Sequence, residues 1–208
     1  MGRKSLDKQR IANNAKTDLW LENLLPLLQD RNLAKLNMDQ IGKLIGKSKS
    51  TIYQYFKTKD EIFARLVDIK LDQVQDSISG NHEDKSTLEL YEHFVIRICK
   101  GLDGITIQFI DQMKTVFPAV WAKVENFMNQ VLAFMETLYQ KGMKEGIFKA
   151  YPLSILLDMD EFFMYQYITR PDRPISDVDE LVRHYMSCLL YTSPSPRDAT
   201  LSRMPSSA

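Results

Sequence analysis

Residues 37–61 read Asn-Met-Asp-Gln-Ile-Gly-Lys-Leu-Ile-Gly-Lys-Ser-Lys-Ser-Thr-Ile-Tyr-Gln-Tyr-Phe-Lys-Thr-Lys-Asp-Glu. They divide into a short helix, a Gly-Lys-Ser turn, a second short helix and the start of a third. Asn37 is a cap for a helix whose inward stripe is Met38, Ile41, Leu44 and Ile45, at steps of three and four. Gly42 on that helix allows close approach of a neighbouring backbone. Gly46 follows the last apolar residue, where a left-handed C-terminal residue costs glycine least. Ser48 then caps a helix in which Ile52 and Phe56 face inward. Lys49, Ser50, Thr51, Gln54 and Tyr55 are left outside, with Tyr53 partly beside the inward pair. Thr58 and Glu61 have the Thr-x-x-Glu spacing of a capping box. Two tight helices around a glycine turn, followed by a capped support helix, form a helix-turn-helix. Its outward row of hydroxyls, amides and ammoniums suits phosphate oxygens and base edges in a major groove.

The stretch from Ile41 to Phe63 resembles the signature of TetR-family transcriptional regulators. Ile41, Gly46, Ser48, Thr51, Tyr53, Phe56, Lys59 and Phe63 are identical to it, and Ile52 and Thr58 are conservative matches. Departures are Gly42 for the usual alanine, Lys47 for an apolar residue, Tyr55 for the common histidine, and Asn32 for the glycine that ends the first helix. That first helix runs through Trp20, Leu21, Leu24, Leu25 and Leu28, with Pro26 inside it.

Charge is divided along the chain. The 208 residues hold 27 basic and 27 acidic side chains, yet residues 1–60 carry 12 Lys/Arg against 6 Asp/Glu, and residues 61–208 carry 15 against 21. A basic head on an acidic body fits nucleic-acid contact confined to one end. Two cysteines, Cys99 and Cys188, and three scattered histidines give no metal-ligand spacing, and no cofactor or metal is expected. Without a leader-like or membrane-spanning segment, a cytoplasmic protein with no membrane contact is expected.

The body after the support helix reads as all-α. Stripes run through Leu90, Phe94, Ile98 and Leu102, through Ile107, Ile110 and Met113, and along a long helix from Pro118 with Trp121, Val124, Met128, Val131, Met135 and Leu138. Two more helices carry Leu153 to Ile168 and Val178 to Met186, separated by the turn Pro171-Asp-Arg-Pro174. The expected organisation is a DNA-binding domain over 1–60, with its support helix reaching about residue 79, and a helical regulatory and dimerisation domain over 61–190. The Ser- and Pro-rich stretch 191–208 resembles translated sequencing-adapter read-through, and no helix or function is expected there.

The resemblance implies a homodimer on a near-palindromic double-stranded operator, an inducer pocket in the body, and a dimer surface on the last two helices. The candidate DNA-contacting residues are Asn37, Lys47, Ser48, Lys49, Ser50, Thr51, Tyr53, Gln54, Tyr55 and Lys59. Of these, Lys47, Ser48, Lys49, Tyr53 and Lys59 are expected on phosphates, and Ser50, Thr51, Gln54 and Tyr55 on base edges. An apolar pocket for a small hydrophobic effector has Phe94, Ile98, Phe109, Met113, Phe117, Trp121, Phe127, Met128, Phe162 and Phe163 as candidates, with Tyr91, His93, Arg97 and Gln108 to orient a ligand. Leu157, Met164, Tyr167, Leu181 and Tyr185 are the expected dimer residues. A DNA-bound interaction protein of the same fold with no inducer is the second reading, and a body without a cavity would favour it. No catalytic constellation is present. Asp158, Asp160 and Glu161 read as the solvated face of a helix.

Overall fold

In the computed structural model, residues 15–79, 84–168 and 178–190 are described. They form nine α-helices: α1 (Ala15–Leu28), α2 (Met38–Leu44), α3 (Lys49–Tyr55), α4 (Lys59–Ile78), α5 (Thr87–Gly101), α6 (Ile107–Val116), α7 (Pro118–Lys144), α8 (Leu153–Ile168) and α9 (Val178–Leu189). The only extended pairing among these residues is an isolated bridge from Phe148 to Leu190. The all-α fold expected from the sequence is therefore observed. The Pro171–Pro174 turn and the stretch 191–208 lie outside the described residues.

Local chemistry sets the ends of the first helices. Asn37 Oδ1 accepts from the Gln40 N–H at 2.9 Å, and Gln40 Oε1 accepts from the Asn37 N–H at 2.9 Å, closing a full capping box on α2. Gly46 takes φ +66°, the left-handed value that ends α2. At Gly42 a Cβ would stand 2.7 Å from the Lys47 carbonyl oxygen, so this position must lack a side chain for the turn to close. At α4, Thr58 Oγ1 accepts from the Glu61 N–H as expected, at 3.2 Å. The reciprocal half differs: Glu61 accepts from Lys57 N–H at 2.6 Å, one residue beyond the box. Pro26 sits exposed in the last turn of α1, which ends two residues later.

Packing does not follow the boundary drawn at residue 60. One core joins Leu21, Leu24 and Leu28 of α1, Ile41 of α2 and Ile52 of α3 to Phe63 and Leu66 of α4. It continues into Phe109 and Met113 of α6 and into Phe117 and Val120 at the start of α7. Phe63 stacks on Phe117 with ring centroids 4.2 Å apart. A second core gathers α5, the later turns of α7, α8 and α9 around Tyr91, Cys99, Leu138 and Tyr139. α7 is 27 residues long and belongs to both.

Polar fasteners reinforce the layers. Arg65 grips Asp18 with two parallel bonds of 2.9 and 2.8 Å, locking α4 to α1. Lys123 reaches Asp68 at 2.6 Å, joining α7 to α4, and Lys100 reaches Asp179 at 3.2 Å, joining α5 to α9. At the far end of α9, Leu189 is buried, and its carbonyl accepts from the Lys149 N–H at 3.0 Å.

The α7 terminus is the tightest spot. A Cβ on Gly142 would lie 2.1 Å from a ring carbon of Phe148, which is itself buried against Tyr91 and Tyr139. Gly142→Ala should therefore destabilise the protein by about 1–3 kcal/mol through overpacking. Urea unfolding followed by circular dichroism will read this as a lower midpoint at unchanged slope.

Candidate nucleic-acid interface

α3 is seven residues long, and its two sides differ sharply. Ile52 is buried at 1% exposure, and Phe56 immediately after the helix at 2%. Ser48, Lys49, Ser50, Tyr53 and Gln54 are exposed, and Thr51 is half-buried. Ser48 Oγ caps the helix by accepting from the Thr51 N–H at 3.2 Å, and it also lies 2.9 Å from Ser50 Oγ and 2.8 Å from Thr51 Oγ1. The three hydroxyls thus form one polar knot at the N-terminal end of the helix, where N–H groups favour anions. Lys49 sits 6.0 Å from the Tyr53 ring centroid, at the edge of cation–π range. Lys57, which the sequence reading passed over, is exposed just beyond the helix. Its place four residues after Tyr53 is the signal that could have found it.

Besides the capping Ser48, four of the ten candidate contacts have other jobs in this geometry. Asn37 spends its side-chain oxygen on the α2 capping box. Tyr55 is half-buried and packs edge-on against Trp20, with centroids 5.4 Å apart, so it turns away from the exposed row. Lys47 lies over the same indole at 4.9 Å. Lys59 points inward: its ammonium donates to the Leu33 carbonyl at 2.8 Å and the Ala34 carbonyl at 3.3 Å, and sits 5.3 Å from the Phe117 ring centroid. A helix-initiating lysine looks like a phosphate ligand in sequence. Here the α1–α2 turn carries carbonyls that need a donor, and the lysine satisfies them.

The head is held to α6 by two glutamines. Gln112 of α6 accepts from the Leu33 N–H at 2.6 Å and donates to the Arg31 carbonyl at 2.7 Å. Gln29, 6% exposed, accepts from the Thr106 N–H at 2.9 Å, while Thr106 Oγ1 donates to the Gln29 carbonyl at 3.2 Å. Each amide therefore bonds main chain across the seam between head and body.

An apolar cavity of about 120 Å³ lies beside this joint, between α4, α5, α6 and α7. Six of the ten pocket candidates line it: Ile98, Phe109, Met113, Trp121, Phe127 and Met128. The other four do not. Phe94 packs on Phe134, Phe117 stacks on Phe63, Phe163 stacks on Tyr185, and Phe162 is 64% exposed. None of Tyr91, His93, Arg97 and Gln108 is in the wall, whose charged member is Lys70 of α4. Lys70 also lines an adjoining, more polar cleft of about 370 Å³ with Glu22, Gln73 and Asp103.

Of the acidic triplet on α8, Asp158 and Glu161 are exposed as expected, whereas Asp160 is turned inward. Asp160 lies within hydrogen-bond distance of three hydroxyls, Tyr91 at 2.9 Å, Tyr139 at 2.7 Å and Tyr185 at 2.7 Å. Burial pushes its carboxyl above the usual carboxylate range, with the three hydroxyls opposing. Burial likewise raises the phenols, and it pushes the neighbouring Cys99 thiol up to about 12. The expected dimer residues are therefore turned inward: Tyr185 onto Asp160, Tyr167 into the core, and Met164 to within 3.6 Å of Cys99 Sγ, with Leu157 and Leu181 packed on the same core. The exposed large side chains of α8 are Ile155, Phe162 and Tyr165. Among the described residues no cluster of His, Cys, Asp or Glu could hold a metal ion, and no helix is long and apolar enough to cross a membrane.

A helix-turn-helix head carrying an exposed polar row, fused to a helical body, defines a DNA-binding regulator of transcription. The family model for bacterial regulatory proteins of the tetR family matches residues 21–66. Over those residues, from α1 into α4, the chain is similar to the N-terminal domain of that family. It is 20% identical over 146 residues to the biofilm operon icaADBC negative transcriptional regulator IcaR of Staphylococcus epidermidis, covering 70% of this chain and 75% of that one. The fold is similar to that of the ketosteroid transcriptional regulator KstR2 of Mycobacterium tuberculosis, with TM-score 0.71 at 15% identity over 86% of this chain and 97% of the other. It is also similar to AibR solved with isovaleryl coenzyme A and operator DNA, with TM-score 0.63 at 11% identity over 83% of this chain and 96% of the other.

If Lys59 secures the α1–α2 turn, Lys59→Ala should lower stability by about 1–3 kcal/mol, the range for charge-assisted bonds to carbonyls left unpaired. Thermal unfolding of the variant without DNA checks this, since a lysine serving phosphates alone would leave the melting temperature unchanged.

Proposed function

We propose that this protein is a dimeric repressor whose grip on DNA is released by a small, largely apolar effector. The observation that carries the reading is the position of the cavity. Its walls include Phe109 and Met113 of α6 and Leu66 and Val67 of α4. The same two helices hold the head, α6 through Gln112 and α4 through Lys59 and Arg65. An effector that fills the cavity acts on both helices at once and shifts the pose of α3. It does so only by the difference in its affinity for the two poses. The cavity counts against the reading of a regulator without an inducer.

On DNA, α3 enters the major groove. Ser50, Thr51 and Gln54 reach base edges, and the amide of Gln54 suits the paired donor and acceptor of an adenine. Ser48, Lys49, Tyr53 and Lys57 hold phosphates. Two heads related by a two-fold axis read half-sites spaced by whole helical turns. The second subunit packs on α8, where Ile155 is 47%, Phe162 64% and Tyr165 51% exposed in a helix apolar on nearly all sides.

Gln54→Ala should cost about 1–3 kcal/mol on the best operator and relax the preference at one position of each half-site. Lys49→Ala should weaken all sequences alike and flatten the salt slope by about one per subunit. Selection from a random duplex pool, followed by titration at several salt concentrations, separates the two. Phe162→Glu should convert dimer to monomer in sedimentation and cost roughly 100-fold or more in operator affinity through lost bivalency. Unchanged sedimentation would remove α8 as the interface.

A further inference from the structure

We propose that the effector is a small amphipathic carboxylic acid, its apolar end in the cavity and its carboxylate on Lys70. This rests on the effector reading above and adds the chemical class. Lys70 is half-buried and, among the described residues, makes no hydrogen bond or ion pair, whereas Arg65 and Lys123 nearby are both paired with aspartates. Burial lowers its affinity for a proton, while Asp103 and Glu22 act from beyond ion-pair distance to keep it charged. A half-buried ammonium without a partner is a cost that a ligand anion removes. Leu25, Leu66 and Lys70 stand in the walls of both the apolar cavity and the polar cleft, so the ammonium marks where apolar surroundings give way to polar ones. The cavity, at about 120 Å³, is somewhat smaller than the roughly 150 Å³ that takes benzene, so it suits a tail of about five carbons.

The probes are hexanoate and hexanamide, equal in length and differing in charge, titrated against the full chain by calorimetry and by fluorescence of Trp121 in the cavity wall. Hexanoate should bind about tenfold or more tighter than the amide, and Lys70→Met should erase that preference while Lys70→Arg keeps it. Equal binding of acid and amide, a preference that survives in Lys70→Met, or no binding of either overturns the proposal. Acid binding through Lys70 without release of operator DNA leaves this assignment standing and sinks the effector reading instead.

A separate observation concerns protons. The geometry points to Asp160 as a neutral carboxylic acid in the folded protein. Four short contacts tie its cluster together: Tyr91 and Tyr185 to Oδ1, Tyr139 to Oδ2, and Tyr91 to Tyr139 at 2.5 Å between hydroxyl oxygens. Three phenols supply three protons, so with an ionised Asp160 one contact sets oxygen against oxygen with no hydrogen between. A proton on Oδ2 completes the set. Oδ2–H then donates to Tyr139, Tyr139 to Tyr91, Tyr91 to Oδ1, and Tyr185 also to Oδ1. The groups facing the carboxyl are Tyr91 and Cys99 of α5, Tyr139 of α7 and Tyr185 of α9, and no lysine, arginine or histidine among the described residues acts on it. Burial raises its affinity for a proton, in agreement with the count. The carboxyl thus fixes the rotation of α8 while uncharged.

Asp160→Asn reproduces the protonated pattern, with the amide N–H₂ in place of Oδ2–H. A carboxyl bound to its proton more tightly when folded than when unfolded contributes fully below the unfolded value of 3.8 and loses stability as pH rises toward the folded value. The melting temperature of the natural protein should therefore fall relative to Asp160→Asn as pH is raised from about 4 to 8. Its infrared spectrum at neutral pH should show a protonated-carboxyl stretch that the variant lacks. A difference that does not change with pH, a variant less stable at pH 8, or no such stretch overturns the assignment.

Discussion

The joint between head and body governs how every other part of this protein can act. Phe63 and Phe117 stack across it, and α6 closes over it with Phe109 and Met113. The two glutamines add direction to what would otherwise be a greasy contact. Gln112 and Gln29 both bond main-chain groups, and a buried main-chain N–H or C=O without a partner is costly enough that the seam has few alternative registers.

Because the first core crosses from α1–α3 into α6 and α7, the head is not an independent globule. The second core, built on α5, α8 and α9, meets the first along α7 and α4. The apolar cavity lies along that line, where Val74, Ile98 and Phe127 of the second core face Leu66, Phe109 and Met113 of the first. Close packing transmits displacement, so a change at the meeting of the two cores is felt in both.

The head was largely legible in the sequence because short-range rules write it. Caps at Asn37, Ser48 and Thr58, glycine at 46 and the Ile41–Ile52–Phe56 stripe each act within a few residues of themselves. The inward contacts of Lys59, Tyr55 and Lys47 were not legible, because their partners, the Leu33 carbonyl and the Trp20 ring, come from α1 and the turn after it, which no spacing rule connects to them. α8 resisted for a different reason. It is apolar around most of its circumference, so periodicity cannot say which side is covered, and nothing local separates Asp160 from Asp158 or Glu161. The three tyrosines that claim Asp160 come from α5, α7 and α9, elements far apart in the chain. The cavity wall was half visible: Ile98, Phe109, Met113, Trp121, Phe127 and Met128 follow from amphipathic stripes, while Lys70 sits on a support helix read only as scaffold.

The grip of Gln112 falls on the Arg31 carbonyl and the Leu33 N–H, so it does not depend on the exposed Arg31 side chain. A head that keeps this bend of backbone, Gln29 and the apolar side packed on Phe109, Met113 and Phe117 will seat on the same α6 and α7. The exposed row of α3 can thus change while that seat stays as it is, with the amide acting as a socket of fixed gauge.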